Sequence, residues 1–137
     1  MPLLDSNAIF IIVKRLGERA IRTLKGGTTL DLAAYELGNA IWKDCRLIGS
    51  ISPEEAADRV EKTARLLEII EKRRTETPGE LRDTMGLATE LGITFYDAAY
   101  LHHARSHPPL VTEDRQLMEK GAQVGIEAIT IKQLLER

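Results

Sequence analysis

A chain of 137 residues with one cysteine, Cys45, cannot close an internal disulfide. The residue reads as a small buried hydrophobe in a protein of a reducing compartment. Charge of one sign is also missing. Nineteen Lys and Arg against 21 Asp and Glu leave a formal net charge of −2, which excludes tight nonspecific binding to a polyanion by the molecule as a whole. Any contact with nucleic acid has to be local. No long hydrophobic run is present: the N-terminal stretch Ala8 to Val13 is far too short to span a bilayer and follows no basic segment, so no export or membrane anchoring is expected and the cytoplasm is the expected location. No G-x-G-x-x-G follows the first apolar run, which removes dinucleotide binding. Internal repeats and low-complexity segments are absent, and Asn and Gln are few while charged residues make up 29%, a balance found in heat-adapted proteins.

What is present is enough apolar material, 43%, to build the core of one domain. Short apolar runs suited to strands fall at Pro2 to Leu4, Thr28 to Leu32, Leu110 to Thr112 and Ile126 to Ile129, and stretches with helical spacing lie between them. Gly17 interrupts the first helical stretch, and Gly26 and Gly27 stop a second, running from Glu18 to Leu24. A helix is predicted from Ala33 to Ile48. Ser52, Pro53, Glu54 and Glu55 read as the start of a long helix that continues to Arg74. A short linker from Thr75 to Gly79, a helix from Glu80 to Glu90, another carrying Ala98 to Ala104, one from Asp114 to Ala122 and a closing helix from Ile131 complete the chain. Strands that alternate with helices argue for an α/β, three-layer α/β/α sandwich with a short, mostly parallel sheet of Rossmann-like topology.

Four acids stand out against this frame. Asp5, Asp97 and Asp114 each close a short apolar run, and Glu36 opens an apolar helical stretch. In a parallel sheet the carboxyl ends of the strands share one edge, where ligands bind, so acids distant in sequence can meet there. Clustered carboxylates repel one another unless protons or a cation neutralise them, and Mg²⁺ prefers oxygen ligands. Each acid also has a plain structural reading. Asp5 and Asp114 sit where helices need caps, Thr94-x-x-Asp97 has the form of a capping box, and Glu36 lies in a first helical turn. Their combination favours a metal site over four independent caps.

The segments Leu3-Leu4-Asp5-Ser6-Asn7, Tyr35-Glu36-Leu37-x-Asn39-x-x-x-Lys43, Gly92-Ile93-Thr94-x-Tyr96-Asp97-Ala98-x-Tyr100-Leu101 and Leu110-Val111-Thr112-x-Asp114-x-x-Leu117 resemble, in order and spacing, the PIN domain. Within that superfamily the chain is most similar, over essentially its whole length, to the VapC-type ribonuclease toxins of toxin and antitoxin pairs. The resemblance implies a ribonuclease dependent on Mg²⁺ or Mn²⁺, with Asp5, Glu36, Asp97 and Asp114 as its acidic quartet, a homodimer, and an antitoxin partner that blocks the site. Asp5, Asp97 and Asp114 match the direct ligands; Glu36 matches a ligand that acts directly or through water. Metal held there would orient a water for in-line attack on a phosphodiester of RNA, with no protein nucleophile.

Position supplies further candidates. Ser6, Asn7, Asn39 and Thr112 lie next to the acids in sequence or one helical turn away and suit hydrogen bonding to carboxylates or metal-bound water, beside ordinary turn and capping roles. Tyr96 and Tyr100 suit either substrate contact or the core. Arg15, Arg19 and Arg22, with Lys14 and Lys25, form a basic stripe expected on one helical face, and Arg115 adjoins Asp114. These four arginines are the candidate phosphate contacts, against the commoner reading of solvated charge. His103 and His107 have a zinc-compatible spacing but neither a cysteine pair nor an H-E-x-x-H pattern beside them, and are expected at the surface. The apolar stripe of the helix starting at Pro53 would cover the core or serve as a dimer or antitoxin surface. Other readings are a PIN-like RNA-binding or scaffold module without catalysis, and a stand-alone RNA-processing nuclease. A haloacid-dehalogenase-like phosphatase is disfavoured, since the second aspartate it needs is replaced by Asn7.

Overall fold

Two consecutive leucines organise the molecule. In a computed structural model describing residues 1–137, Leu3 and Leu4 form strand β1, and both side chains are fully buried on opposite faces of the sheet. The chain continues through α1 (Ser6–Leu16), a 3₁₀ turn (Gly17–Arg19), α2 (Ala20–Leu24), β2 (Thr28–Leu30), α3 (Leu32–Lys43), a π-helical turn (Asp44–Ile48) holding half-buried Cys45, and α4 (Pro53–Leu67). It then forms β3 (Glu71–Arg73), α5 (Pro78–Leu91), α6 (Phe95–Ala104), β4 (Leu110–Val111), α7 (Arg115–Gln123), β5 (Ala128–Ile129) and α8 (Ile131–Leu135).

The five strands pair in the order β3-β2-β1-β4-β5, all parallel. Leu3 joins Leu30, Leu110 and residues of α5, α6 and α7 in one cluster of 13 buried residues. Leu4 joins Val111, Ile129 and residues of α1, α2 and α3 in a second cluster of 13. The sheet is thus buried on both faces, which parallel sheets require and which makes the α/β/α layering expected from the sequence. No helix is long and apolar enough to cross a membrane.

Local sequence sets most helix starts. Ser52 and Glu55 form a full capping box on α4: Glu55 N–H donates to Ser52 Oγ at 3.1 Å and Ser52 N–H to Glu55 Oε1 at 3.3 Å. Gly49, at φ 75°, closes the π-helical turn in the left-handed region that glycine favours.

One expectation fails. The helix predicted through Arg74 ends at Leu67, and Glu71–Arg73 form β3, a fifth strand. Glu68 to Arg73 contain no Gly or Pro, so no local signal stops the helix; the open edge of β2 does, because its backbone groups need partners. β3 supplies them in the register Thr28↔Glu71, Thr29↔Lys72, Leu30↔Arg73. Its charged, largely exposed side chains suit an edge that must not recruit another chain. The Lys72 ammonium turns back to the Leu67 and Ile70 carbonyls and caps the shortened α4.

Gly27 sits where α2 turns into β2. A Cβ there would collide with Leu4 Cδ1 in the core and lie 3.2 Å from the Leu24 carbonyl, whereas nothing lies within 4 Å of one at Gly26. Gly27→Ala should therefore lose about 1–3 kcal/mol by overpacking, while Gly26→Ala stays near wild type. Equal melting temperatures for the two variants would show that β1 and α2 are not as tightly apposed as described.

Candidate active site

The strand order reverses between β1 and β4, so the carboxyl ends of these strands border the crevice at the switch point. Asp5 follows β1, and its N–H donates to the Val111 carbonyl at 3.2 Å, which ties it to β4. Thr112 and Asp114 follow β4. Asp97 projects from the first turn of α6 and Glu36 from the second turn of α3. The four acids form one electrostatic group: Asp5 is coupled to Glu36 and Asp97, and Asp97 to Glu36 and Asp114.

Capping and clustering coexist here. Asp5 caps α1 by accepting Ala8 N–H at 2.8 Å, and Asp114 caps α7 by accepting Leu117 N–H at 3.1 Å, each through Oδ1 alone. The second oxygen of Asp114 stays available, while the Asp5 carboxylate also meets Thr112. At α6 the cap is Thr94, which accepts Asp97 N–H at 3.1 Å; the Asp97 carboxylate does not return to the Thr94 backbone, so its side chain is left to the cluster.

Burial grades the set. Asp5 is 7% exposed, Glu36 and Asp97 are half-buried, and Asp114 is exposed. Burial pushes the Asp5 carboxyl up from 3.8 to about 6; hydrogen bonds from Thr112 and Ala8 pull against it, and the charges of Glu36 and Asp97 add to the rise. Asp97 is raised by burial first and then by Asp114 and Glu36. No Lys, Arg or His comes within ion-pair distance of any of the four; every salt bridge of the molecule involves other acids.

Neighbouring polar groups hold the carboxylates in place. The Tyr100 hydroxyl, buried at the base of the site, donates to Glu36 Oε1 at 2.8 Å. Burial and then the Glu36 charge raise the Tyr100 phenol above its ordinary range, so it remains a donor. Thr112 is fully buried, accepts Asp114 N–H at 3.1 Å and hydrogen-bonds Asp5, joining two members of the set. Ser6, Asn7 and Asn39 line a cavity of about 260 Å³ beside Glu36, together with Lys43. Of the two tyrosines, Tyr100 belongs to the site and Tyr96 is 59% exposed.

The arginines divide. Arg115, in the first turn of α7, stays at the rim beside Asp114. Arg15, Arg19 and Arg22 are exposed but share no single helical face, because α1 ends at Leu16 and Gly17, at φ 53°, starts a new turn. Ten residues of helical rise place Arg15 roughly 15 Å from Asp5. Arg19, Arg22 and Lys25 border a separate surface depression at that far end. Two residues bordering the acids were not singled out as functional from the sequence: Lys43, and Tyr100 as the partner of Glu36. Their signal was spacing within the motif segments, since Lys43 lies seven residues after Glu36 and Tyr100 three after Asp97.

The expectation that His103 lies at the surface is corrected as well, while His107 is half-exposed. α6 ends at Ala104, His103 is buried, and His107 lies beyond the helix with its carbonyl accepting Leu3 N–H at 3.1 Å. His103 instead sits beside His102 and Glu80.

No family model matches the chain. Ribonuclease VapC3 of Pyrobaculum aerophilum is 40% identical over 105 residues, which are 75% of this chain and 77% of that protein. Exonuclease VapC9 of the same organism is 32% identical over 133 residues, 95% of this chain and 93% of that one. The chain belongs to the VapC family. The crystal structure of PAE2754 from Pyrobaculum aerophilum superposes on it with a TM-score of 0.79 at 31% identity, covering 99% of this chain and 93% of the other. The PIN-type layered fold expected for a VapC protein is therefore the fold observed.

Because folding raises the Asp5 pKa, the protonated carboxyl favours the folded state, and that stability is fully present below about pH 3.8 and lost as pH rises through about 6. The loss amounts to about 3 kcal/mol. In metal-stripped protein, the stability difference between wild type and Asp5→Asn should accordingly shift in favour of the variant by about that amount between pH 4 and 7. A difference that does not change with pH would mean that Asp5 is solvated in the folded chain.

Proposed function

We propose that this VapC-family protein is a divalent-metal-dependent ribonuclease acting in the cytoplasm as the toxin of a toxin and antitoxin pair. The observation that carries the reading is the gathering of Asp5, Glu36, Asp97 and Asp114 at the switch edge with no protein cation within ion-pair distance. Relatives bearing the names ribonuclease and exonuclease support it.

The donor set fits a hard cation. All four side chains offer oxygen only, and no three of them bring ligand atoms all within 4.8 Å of one another, a spacing met only by Glu80, His102 and His103. Mg²⁺ suits such an open arrangement, because it retains several waters and takes few carboxylates directly. Asp5, Asp97 and Asp114 would hold the ion, with Glu36 acting directly or through water. Bound Mg²⁺ or Mn²⁺ supplies Lewis-acid activation of water and offsets the charge that builds on a phosphodiester. The chain's own contribution is orientation and charge. Tyr100 fixes one Glu36 oxygen, Thr112 ties Asp5 to Asp114, and Arg115 at the rim, with Lys43 beside Glu36, is placed to meet phosphates of single-stranded RNA. Arg15, Arg19 and Arg22 would reach only a longer RNA that runs along α1.

Partners follow from exposed apolar surface. An apolar groove of about 290 Å³ between α1, α3 and α4, lined by Ile9, Phe10, Val13 and Leu66 and rimmed by Lys14 and Arg59, fits an antitoxin segment carrying apolar and acidic side chains. Trp42, Leu47 and Ile48, each more than half exposed, offer a surface for the second copy of a homodimer.

End-labelled single-stranded RNA incubated with the protein should be cleaved with Mg²⁺ or Mn²⁺, and cleavage should vanish with EDTA or in Asp97→Asn. Cleavage that survives both treatments would sink the metal mechanism, and RNA binding without cleavage in any divalent metal would favour the scaffold reading. Tyr100→Phe should lower kcat roughly 10- to 100-fold through loss of Glu36 orientation, with the fold intact by circular dichroism. An unchanged kcat would remove Tyr100 from the machinery.

A further inference from the structure

At the far end of α6 from Asp97, three side chains meet in an arrangement that the acidic pocket does not explain. Glu80 lies in the first turn of α5, and His102 and His103 in the last turn of α6. Glu80 Oε2 is 3.9 Å from Nε2 of both histidines, and the three donor atoms lie within 4.8 Å of one another, closer than any other trio of His, Cys, Asp or Glu in the molecule. The two rings are nearly perpendicular, at 82° with centroids 5.0 Å apart, so they do not stack and both can address one point. We propose that Glu80, His102 and His103 form a second metal site, selective for Zn²⁺ or a similar borderline ion, which braces the α5–α6 hairpin.

Donor chemistry separates this site from the first. Two imidazoles and one carboxylate suit Zn²⁺, Co²⁺ or Ni²⁺, whereas an all-oxygen set suits Mg²⁺ or Mn²⁺. Tetrahedral ligands at about 2.1 Å from zinc stand roughly 3.4 Å apart, so the two Glu80–His separations of 3.9 Å need to close by about half an ångström each, and the two histidine donors, within 4.8 Å of one another, close with them by rotation of the rings. The carboxylate is already aimed: the Thr77 hydroxyl donates to Glu80 Oε1 at 3.0 Å and leaves Oε2 toward the rings. His102 Nε2 has no hydrogen-bond partner beyond its 3.9 Å approach to Glu80, and His103 Nε2 has only the Thr75 hydroxyl, at 2.9 Å, a contact that an incoming ion would displace.

The site opens into a cavity of about 810 Å³ lined by no hydrophobic residue, with room for the water that a fourth position would take. Lys72, Arg73, Arg74 and Arg105 also border this cavity and oppose a cation, while Glu76 and Asp83 join Glu80 in offsetting them. At the point where Glu80 Oε2 meets the two rings, the carboxylate repels an anion and attracts a cation. Where the three donors converge the chemistry therefore favours a metal over an anion. The surrounding positive charge argues for micromolar rather than nanomolar affinity.

The test uses untagged full-length protein stripped of metal. Titration with Co²⁺ should give the visible absorption of a four- or five-coordinate nitrogen-ligated ion at one equivalent, displaced by Zn²⁺. Saturating Zn²⁺ should raise the melting temperature by several degrees. The absorption should persist in Asp5→Asn and Asp97→Asn, which disable the acidic pocket, and be lost in His102→Gln and Glu80→Gln, each shown folded by circular dichroism. Persistence of the Co²⁺ spectrum in His102→Gln and Glu80→Gln, its loss in Asp97→Asn, or unchanged ring resonances of His102 and His103 in the wild-type NMR spectrum at saturating Zn²⁺ would each overturn the assignment. Because the readout is spectroscopic and separable by variant, it stands whether or not the protein cleaves RNA.

Discussion

Repulsion among carboxylates held at one sheet edge is the constraint around which this molecule is arranged. Asp5 feels it in the most buried place: capped to Ala8 and tied to β4, its carboxyl is pushed up to about 6 by burial first and then by the charges of Glu36 and Asp97. The fold tolerates this because the strands beneath are short, fully covered and flanked by two clusters of 13 buried residues each. Hydrophobic burial of that extent can absorb a few kcal/mol of local electrostatic strain and still leave the chain folded. A cation added from solution would remove the strain, so stability and chemistry draw on the same interaction.

Much of this was legible in the sequence, for identifiable reasons. Asp5 and Asp114 follow strand-forming runs, and a parallel sheet has one edge where such runs end; the topology then forces the two aspartates to be neighbours. The cap signals at Ser52 and Thr94 are local chemistry and could be read without the fold. The alternative that each acid is merely a cap turned out to be no alternative. A cap occupies one lone-pair direction of a carboxylate, and at Asp5 and Asp114 it leaves the rest of the group facing the other acids.

What was not legible depends on long-range pairing. β3 reads as helix because Glu, Ile, Lys and Arg suit one, and only the unpaired edge of β2 overrides that preference. The basic stripe looked continuous because Arg15, Arg19 and Arg22 have helical spacing, yet Gly17 breaks the helix between the first and second. Tyr100 could not be told from a core tyrosine, since the bond that distinguishes it joins residues 64 apart in sequence. His103 was paired with His107, four residues on, and His102 was passed over because adjacent histidines on a helix point about 100° apart; the convergence of His102 and His103 needs Glu80 from another element to lie between them.

α6 joins the acidic pocket to the histidine pair. Six residues of helix, roughly 9 Å, separate Asp97 from His103, and the hairpin with α5 is the most extensive helix contact in the molecule. Hard oxygen donors are gathered at one end and borderline nitrogen donors at the other. A single ion type could not satisfy both, because an ion soft enough to favour imidazole gains less from an open, hydrated carboxylate set. The position of Asp97 in the acidic pocket is set by where α6 is fixed, and the end of α6 that carries the histidines is held on its inner face by Leu101 and Ala104 in the core and borders a polar cavity on the face toward Glu80. Binding at that end would stiffen the helix without touching the carboxylates, which makes the placement of Asp97 a property of the whole hairpin rather than of the sheet edge alone.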